Sequence, residues 1–572
     1  MLKLDLRYKG KLDLNVAVLY NNIAKHLRVP FTKVVSEISE PIKNNIDWWV
    51  EGPASRNTVV SPFFHYYCAF HLVDELINKN YDISVIIVDS LAFEKILRKY
   101  FYKNGKSIPI KYSDNLIKFY FKQLIIPFVR IPLELYRRIY QYRCAQKTRH
   151  LQKVIPNKPL TLIDVYVLPG FLSKDRYYNG IWGNLNSKQR STTFFVPTLA
   201  MIPNNKMVSA YEELRTSDRN FLIKEDYLKI GDLLFAIRHY FRLFKINISP
   251  IIVKGVDISS LVREELRSMR GYPSAVTGLL NYIFSKRIKE QKAKLRIVVD
   301  WFENQIVDKG WNAGFNKFYP KIPTIGYRGY IPSSQYLHQH PTIIEYKSGI
   351  LPSKIVVIGK GFIDSTREFA PILNVESSAA FRFNDLWNES TAKPDSSYFT
   401  ILVALSTIIE ESINILKLVK ECLKTAGPNN LRFWIKPHPG MTVEKLKKGF
   451  VGSWPKEFKI IQGPSSDYIR KSNIIISGGG TSICLETIAL GIPVIVLENL
   501  EGFKYNTIPE EIPQDLWRSC RTSNGINNAI EFYRNRSDEE IARHKEIGIR
   551  IRKDYFEPVT KESVFKFLML EK

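Results

Sequence analysis

Asn473-Ile-Ile-Ile-Ser-Gly-Gly-Gly-Thr-Ser482, running on through ICLETIAL to Gly491-Ile-Pro-Val-Ile-Val-Leu497, decides the fold of this chain. A short apolar run enters small residues, a helical stretch follows, and Gly491-Ile-Pro493 turns the chain into a second apolar run. Strands this continuously apolar are buried on both faces, which is the mark of a parallel sheet covered by helices. The same rhythm extends upstream. Tyr398 to Ser406 predicts a strand and Ile408 to Thr425 a helix ending in Ala-Gly-Pro-Asn-Asn430. Leu431 to Ile435 predicts a strand leading into Lys436-Pro-His-Pro-Gly440, and Phe458 to Ile461 a further short strand. Residues from about 391 onward therefore read as a doubly wound α/β domain.

Two loops of that domain carry chemistry. A strand that ends in glycines and opens a helix presents free backbone N–H groups and the positive end of the helix dipole, a setting for phosphate. Gly479 and Gly480 are expected to let a ligand approach, with Thr481 and Ser482 adding hydroxyl donors. No lysine follows the glycines, so the loop is not a Walker P-loop. In the other loop Pro437 and Pro439 hold the backbone on either side of His438. In an open parallel sheet such loops line the ligand crevice. His438 is expected to donate to a phosphate oxygen, and Lys436 to add positive charge.

The chain has 572 residues, 83 Lys and Arg against 56 Asp and Glu, and a net charge of +27. With 45% hydrophobic and 24% charged residues it is globular rather than disordered, and its length predicts two or three domains. The surplus of cations favours polyanionic partners such as phosphorylated substrates or anionic lipid. Five separated cysteines without a CxxC pair suggest neither disulfides nor a zinc site, and a reducing cytoplasm. The opening MLKLDLRYKGKLDL is charged throughout and does not read as a signal peptide. Further strands are predicted at Asp47–Val50, Ile83–Val88, Ile251–Val253, Leu295–Val299 and Lys354–Ile358. Residues 91–160 hold 16 Lys and Arg against 3 acids, interleaved with aromatics, and read as a basic helical insertion or one edge of the first domain, facing an anionic membrane. No signature of nucleic-acid binding accompanies that charge, so nucleic acid is not expected as a partner.

A strand ending at Ser406, then Lys-Pro-His-Pro, then Ser-Gly-Gly-Gly-Thr-Ser with Glu486 and Gly-Ile-Pro, resembles the donor-binding half of GT-B glycosyltransferases. The His-Pro element followed by a Ser/Thr element resembles bacterial transferases of CMP-activated acidic sugars, namely sialyltransferases and the Kdo transferases of capsule, lipopolysaccharide and O-antigen assembly. The same element occurs in CDP-glycerol phosphotransferases. Pro341 to Gly359 resembles the linker of bacterial surface-carbohydrate biosynthesis proteins, and the likeness covers about residues 320–500.

That resemblance implies two Rossmann-like domains facing a cleft: an acceptor domain at 1–390, a nucleotide-sugar domain at 391–550, and a C-terminal helix at 551–572 packing back on the first. It implies transfer from a CMP-linked donor to a lipid-linked or oligosaccharide surface precursor, at the inner face of the cytoplasmic membrane. Ser406, Lys436, His438, Pro439, Gly479, Gly480, Thr481, Ser482 and Glu486 would bind the donor. Sialyltransferases place two acids before a glycine in the first domain, whereas this chain has Val50-Glu51-Gly52 with a single acid. Glu51 is thus the first candidate base, with Asp89, Asp300 and Glu303, each just after a strand, as the others. Arg56 and Arg328 are the candidates for acceptor or phosphate binding. No pair of acids stands at a strand end of the donor domain, so neither a metal nor another cofactor is expected, and the implied enzyme is inverting. The alternatives are a CDP-glycerol-type phosphotransferase and a non-catalytic component of envelope assembly.

Overall fold

The computed structural model describes the chain apart from residues 1, 9, 114–115, 174, 389–392, 407, 426–429, 439, 451, 499–501 and 571–572, and gives the backbone alone at 116–124 and 424–425. Its frame is two parallel six-stranded sheets. The middle sheet runs in the order Val375–Ser377, Lys354–Val357, Thr324–Arg328, Leu295–Trp301, Leu160–Val167, Thr193–Leu199. The C-terminal sheet runs Phe458–Ile460, Leu431–Lys436, Phe399–Ala404, Ile474–Gly478, Val494–Leu497, Trp517–Cys520. Every pairing in both is parallel. The central strands Leu160–Val167 and Ile474–Gly478 are buried almost throughout, as helices on both faces require. Two Rossmann-like units facing a cleft make this a GT-B architecture.

The first 112 residues add a third, smaller unit, in which Leu2–Asp5, Ile83–Val88 and Ile110–Tyr112 form a separate three-stranded parallel sheet. Its core of stacked aromatics, including Phe31, Phe63 and Phe64, extends to Phe503 of the C-terminal half. Asn21 fastens the same loop, accepting from Lys504 N at 2.6 Å and donating to Gly502 O at 3.1 Å.

Two expectations are corrected. Asp47–Val50 is no strand: Ile46–Trp49 is a helical turn, because the Asn45 side chain accepts from Asp47 N and caps it. Consecutive Trp48 and Trp49 mimic an apolar strand, but each indole finds its own buried acceptor, Ser39 Oγ and Lys43 O. Residues 91–160 are also not an insertion. Leu91–Lys103 covers the front sheet, Ile110–Tyr112 is its edge, and the long helix Leu116–Lys147 carries the chain across to the middle sheet.

The C-terminus crosses back. On helix Asp538–Tyr555, Gly548 lies so close to Gly491 that a Cβ there would stand 2.3 Å from its nitrogen. Glu557 then donates from its backbone to Ile358 O at 2.7 Å and accepts from Ala380 N at 2.8 Å. Phe567 packs on Tyr327 and Phe381, with ring centres 5.1 Å apart in both pairs. One apolar cluster consequently runs from the middle sheet into the C-terminal one.

Candidate active site

Between the two large sheets lies a cleft of about 700 Å³, lined mainly by loops at the carboxyl ends of their strands. From the middle unit come Leu168 to Phe171, Asp175 to Tyr177, Glu303, Tyr330 and Arg382. From the C-terminal unit come Ser406, Lys436 to His438, Gly463 to Ser466, Gly479 to Ile483 and Glu486. Parallel strands direct their following loops to one edge, which is why this edge holds the ligand crevice in open α/β sheets.

His438 is the best-defined polar group there. The Gly440 N–H donates to its Nδ1 at 3.1 Å, so the neutral ring carries its proton on Nε2 as a free donor. Burial lowers its pKa first, and the nearby charges of Arg176, Arg382 and Lys436 lower it further, to about 4. The imidazole is therefore neutral at physiological pH. Among the described residues, Arg176, Arg382 and Lys436 form no ion pair, and all three lower the pKa of one histidine. Burial followed by Arg382 lowers the Arg176 pKa, and burial followed by Arg176 lowers that of Lys436. Such mutual repulsion stores a preference for an anion.

The glycine loop has a different physical reason from the one expected. A Cβ on Gly478 would stand 2.4 Å from the Glu411 carboxylate, and one on Gly479 would stand 2.3 Å from Tyr505 O. On Gly480 it would crowd the Tyr336 hydroxyl at 3.1 Å. These glycines admit the protein's own loop and the Tyr336–Tyr505 stack, whose rings are 4.3 Å apart. Thr481 and Ser482 also turn inward. Thr481 Oγ1 lies 3.0 Å from Ser477 Oγ, and Ser482 Oγ donates to Glu486 at 2.6 Å. Burial raises the Glu486 pKa, and the Ser482 bond opposes it. Ser406 bonds with its hydroxyl to the backbone of Ile408, shaping the neighbouring loop. Pro439 lies outside the described residues.

The structure separates the candidate carboxylates. Glu303 lines the cleft, oriented by Trp301 Nε1 at 2.9 Å and Gln305 Nε2 at 2.5 Å. Asp300 is buried beneath it; burial, then the charges of Asp308 and Asp164, push its pKa well up, which keeps it neutral. Glu51 is not in the cleft. It is buried against His239 Nε2 at 2.6 Å, while Asp47 holds the other ring nitrogen at 2.6 Å. Burial pushes the His239 pKa down, but the two carboxylate bonds outweigh it and lift it to about 8.

The two candidate arginines are also enclosed. Arg56 bonds Glu345 at 3.0 Å and the carbonyls of Leu337 and His340, tying the front unit to the middle one. Burial favours protonating Glu345, yet Arg56 and Lys309 prevail and bring its pKa to about 2. Arg328 donates to Thr366 beneath Tyr330 and is 2% exposed. Neither arginine lines the cleft.

The sequence reading missed Arg176, Tyr177 and Arg382. Arg176 follows Leu160–Val167, a strand hidden next to the basic stretch; its largely apolar, β-branched sequence LTLIDVYV was the available signal. Among the described residues no cluster of metal-ligating side chains occurs.

No family model matches the chain, and no curated protein does. Solved structures do. S. aureus MnaA with UDP is 12% identical over 72% of this chain and 98% of its own, with a TM-score of 0.43. The glycosyltransferase SnogD from Streptomyces nogalater is 12% identical over 72% of this chain and 99% of its own, with a TM-score of 0.39. The wall teichoic acid polymerase TagF is 8% identical over 78% of this chain and 96% of its own, with a TM-score of 0.36.

Proposed function

We propose that this chain is a glycosyltransferase that moves an acidic sugar from a CMP-activated donor to a hydroxyl of a surface-polysaccharide precursor, at the inner face of the cytoplasmic membrane. The observation that carries the proposal is the neutral His438, its Nε2 proton available, amid three cations unpaired among the described residues at the carboxyl edge of two parallel sheets. A CMP-linked acidic sugar carries a phosphate and a carboxylate, two anions for that cationic surround. Nε2 of His438 would donate to the leaving phosphate where charge develops. Glu303, the one candidate base that lines the cleft, would take the proton of the acceptor hydroxyl. Donor and acceptor are thus divided between the C-terminal and middle walls.

The same cations favour a second reading, a phosphotransferase with a CDP-linked polyol donor, whose diphosphate also presents two anions. Incubation with CMP-sialic acid, CMP-Kdo, CDP-glycerol and UDP-N-acetylglucosamine, read by release of nucleotide and by thermal shift, distinguishes them. Turnover of a CMP-sugar is the expected result. Turnover of CDP-glycerol alone establishes the second reading, and binding without turnover of any donor points to a non-catalytic component.

A further inference from the structure

We infer that two adjoining helical segments, Leu116–Lys147 and Ile230–Leu243 with the short stretch after it, form an interfacial face that docks on an anionic lipid bilayer. The two pack against each other and share the core around Leu233, Ile237 and Tyr272. Ile126, Ile131 and Leu135 of the long helix turn into that core. The same helix leaves Phe128 80% exposed, with Leu133 and Tyr136 also open. The second segment leaves Ile230, Phe241 and Phe244 more than half exposed. Large apolar side chains concentrated this way on a surface mark an interaction site.

Charge selects the occupant. Within residues 125–147 and 229–247 the only acids are Glu134 and Asp232, and both are buried against arginines. The exposed charges are all positive, Arg143, Arg238 and Lys245 among them. Exposed aromatics and leucine interleaved with cations and free of exposed acid match a bilayer of negative headgroups. Among the described residues no helix is long and apolar enough to cross a membrane, so the face lies on the surface.

A brace holds it in position. Arg242 bonds Asp47 at 2.7 Å, caps Phe235 O at 2.7 Å and lies over the Phe235 ring, while Asp47 grips His239. Glu51 completes this brace.

Sedimentation of the full chain with vesicles of phosphatidylcholine, with or without phosphatidylglycerol, tests the inference. Binding is expected only with the anionic lipid and is expected to fall with salt. Changing Arg143, Arg238 and Lys245 to Gln should weaken it about 100-fold, at about fivefold per cation. Phe128→Ser with Phe244→Ser should reduce it at every salt concentration, with the melting temperature kept. Absence of binding at low salt, or binding that neither variant set alters, overturns the inference. So does a wild-type dimer that the Phe pair dissociates, which would make the face a contact between two copies. Vesicle binding is read without any donor, so its failure is independent of the proposed transfer reaction.

Discussion

His438 and His239 are the same side chain under opposite fields. In the cleft, burial and three neighbouring cations bring the imidazole to a pKa of about 4. Beneath the basic helices, two carboxylates at 2.6 Å overcome burial and bring it to about 8. The first is left neutral with a free N–H in a cleft; the second is charged, enclosed and fully hydrogen-bonded. The proposed transfer chemistry rests on the first, while the second ties Asp47 to Glu51. The glutamates divide in the same way, Glu303 beside the cleft and Glu51 in the brace.

The sharpest way to break this contrast is to exchange the carboxylates. Glu303→Gln keeps the shape of the wall and removes the base, so transfer should fall by roughly 100- to 10,000-fold with little change in melting temperature. Glu51→Gln should leave transfer near normal, since Gln can still accept from His239. Steady-state rates on the turned-over donor decide it; the reverse pattern would return the base to Glu51.

Next come the histidines. His438→Ala should lower turnover by about 100- to 1,000-fold and leave stability nearly unchanged. His239→Ala leaves Glu51 buried without its partner and should cost about 3–5 kcal/mol in urea unfolding. A loss of folding in the His438 variant would show that its ring is a core group.

A smaller effect sharpens the comparison through pH. His239 has a folded pKa near 8, above the roughly 6.5 of an unfolded histidine. Its contribution, about 2 kcal/mol at most, is complete below pH 6.5 and lost as pH rises through 8. His438 is lowered instead, so protonation favours the unfolded chain and its contribution is lost as pH falls from 6.5 toward 4. Differences in melting temperature between wild type and each alanine variant, followed from pH 4 to 9, should diverge at opposite ends. Parallel curves would show that the two environments do not differ.

The weakest effect expected is at Gly480, where a Cβ meets the Tyr336 hydroxyl at 3.1 Å and Tyr505 Cβ at 3.2 Å. Gly480→Ala should weaken nucleotide binding a few-fold in a thermal-shift titration. Gly479→Ala, facing backbone at 2.3 Å, should instead destabilise the fold.

The C-terminal wall was legible because its information is local. Apolar runs of four to six residues, a proline-bounded histidine and a glycine loop each sit within a few residues of what they determine, and five of the six strands appear there to within a residue or two, Trp517–Cys520 with no apolar run being the one missed. The front of the chain was less so. Trp48 and Trp49 look like strand until Asn45 is seen capping them, and a basic composition concealed that Leu116–Lys147 connects two sheets.

Local pattern thus determined the α/β class, the parallel character of the C-terminal sheet and the position of His438 at a strand end. It could not choose among Glu51, Asp300 and Glu303, since all three follow short apolar runs. Their placement was decided by partners far along the chain: His239 lies 188 residues from Glu51 and encloses it. Burial, and then Arg176 and Arg382 from remote parts of the sequence, lower the pKa of His438. Burial and electrostatic field depend on which surfaces meet in space, and only the folded chain brings those surfaces together.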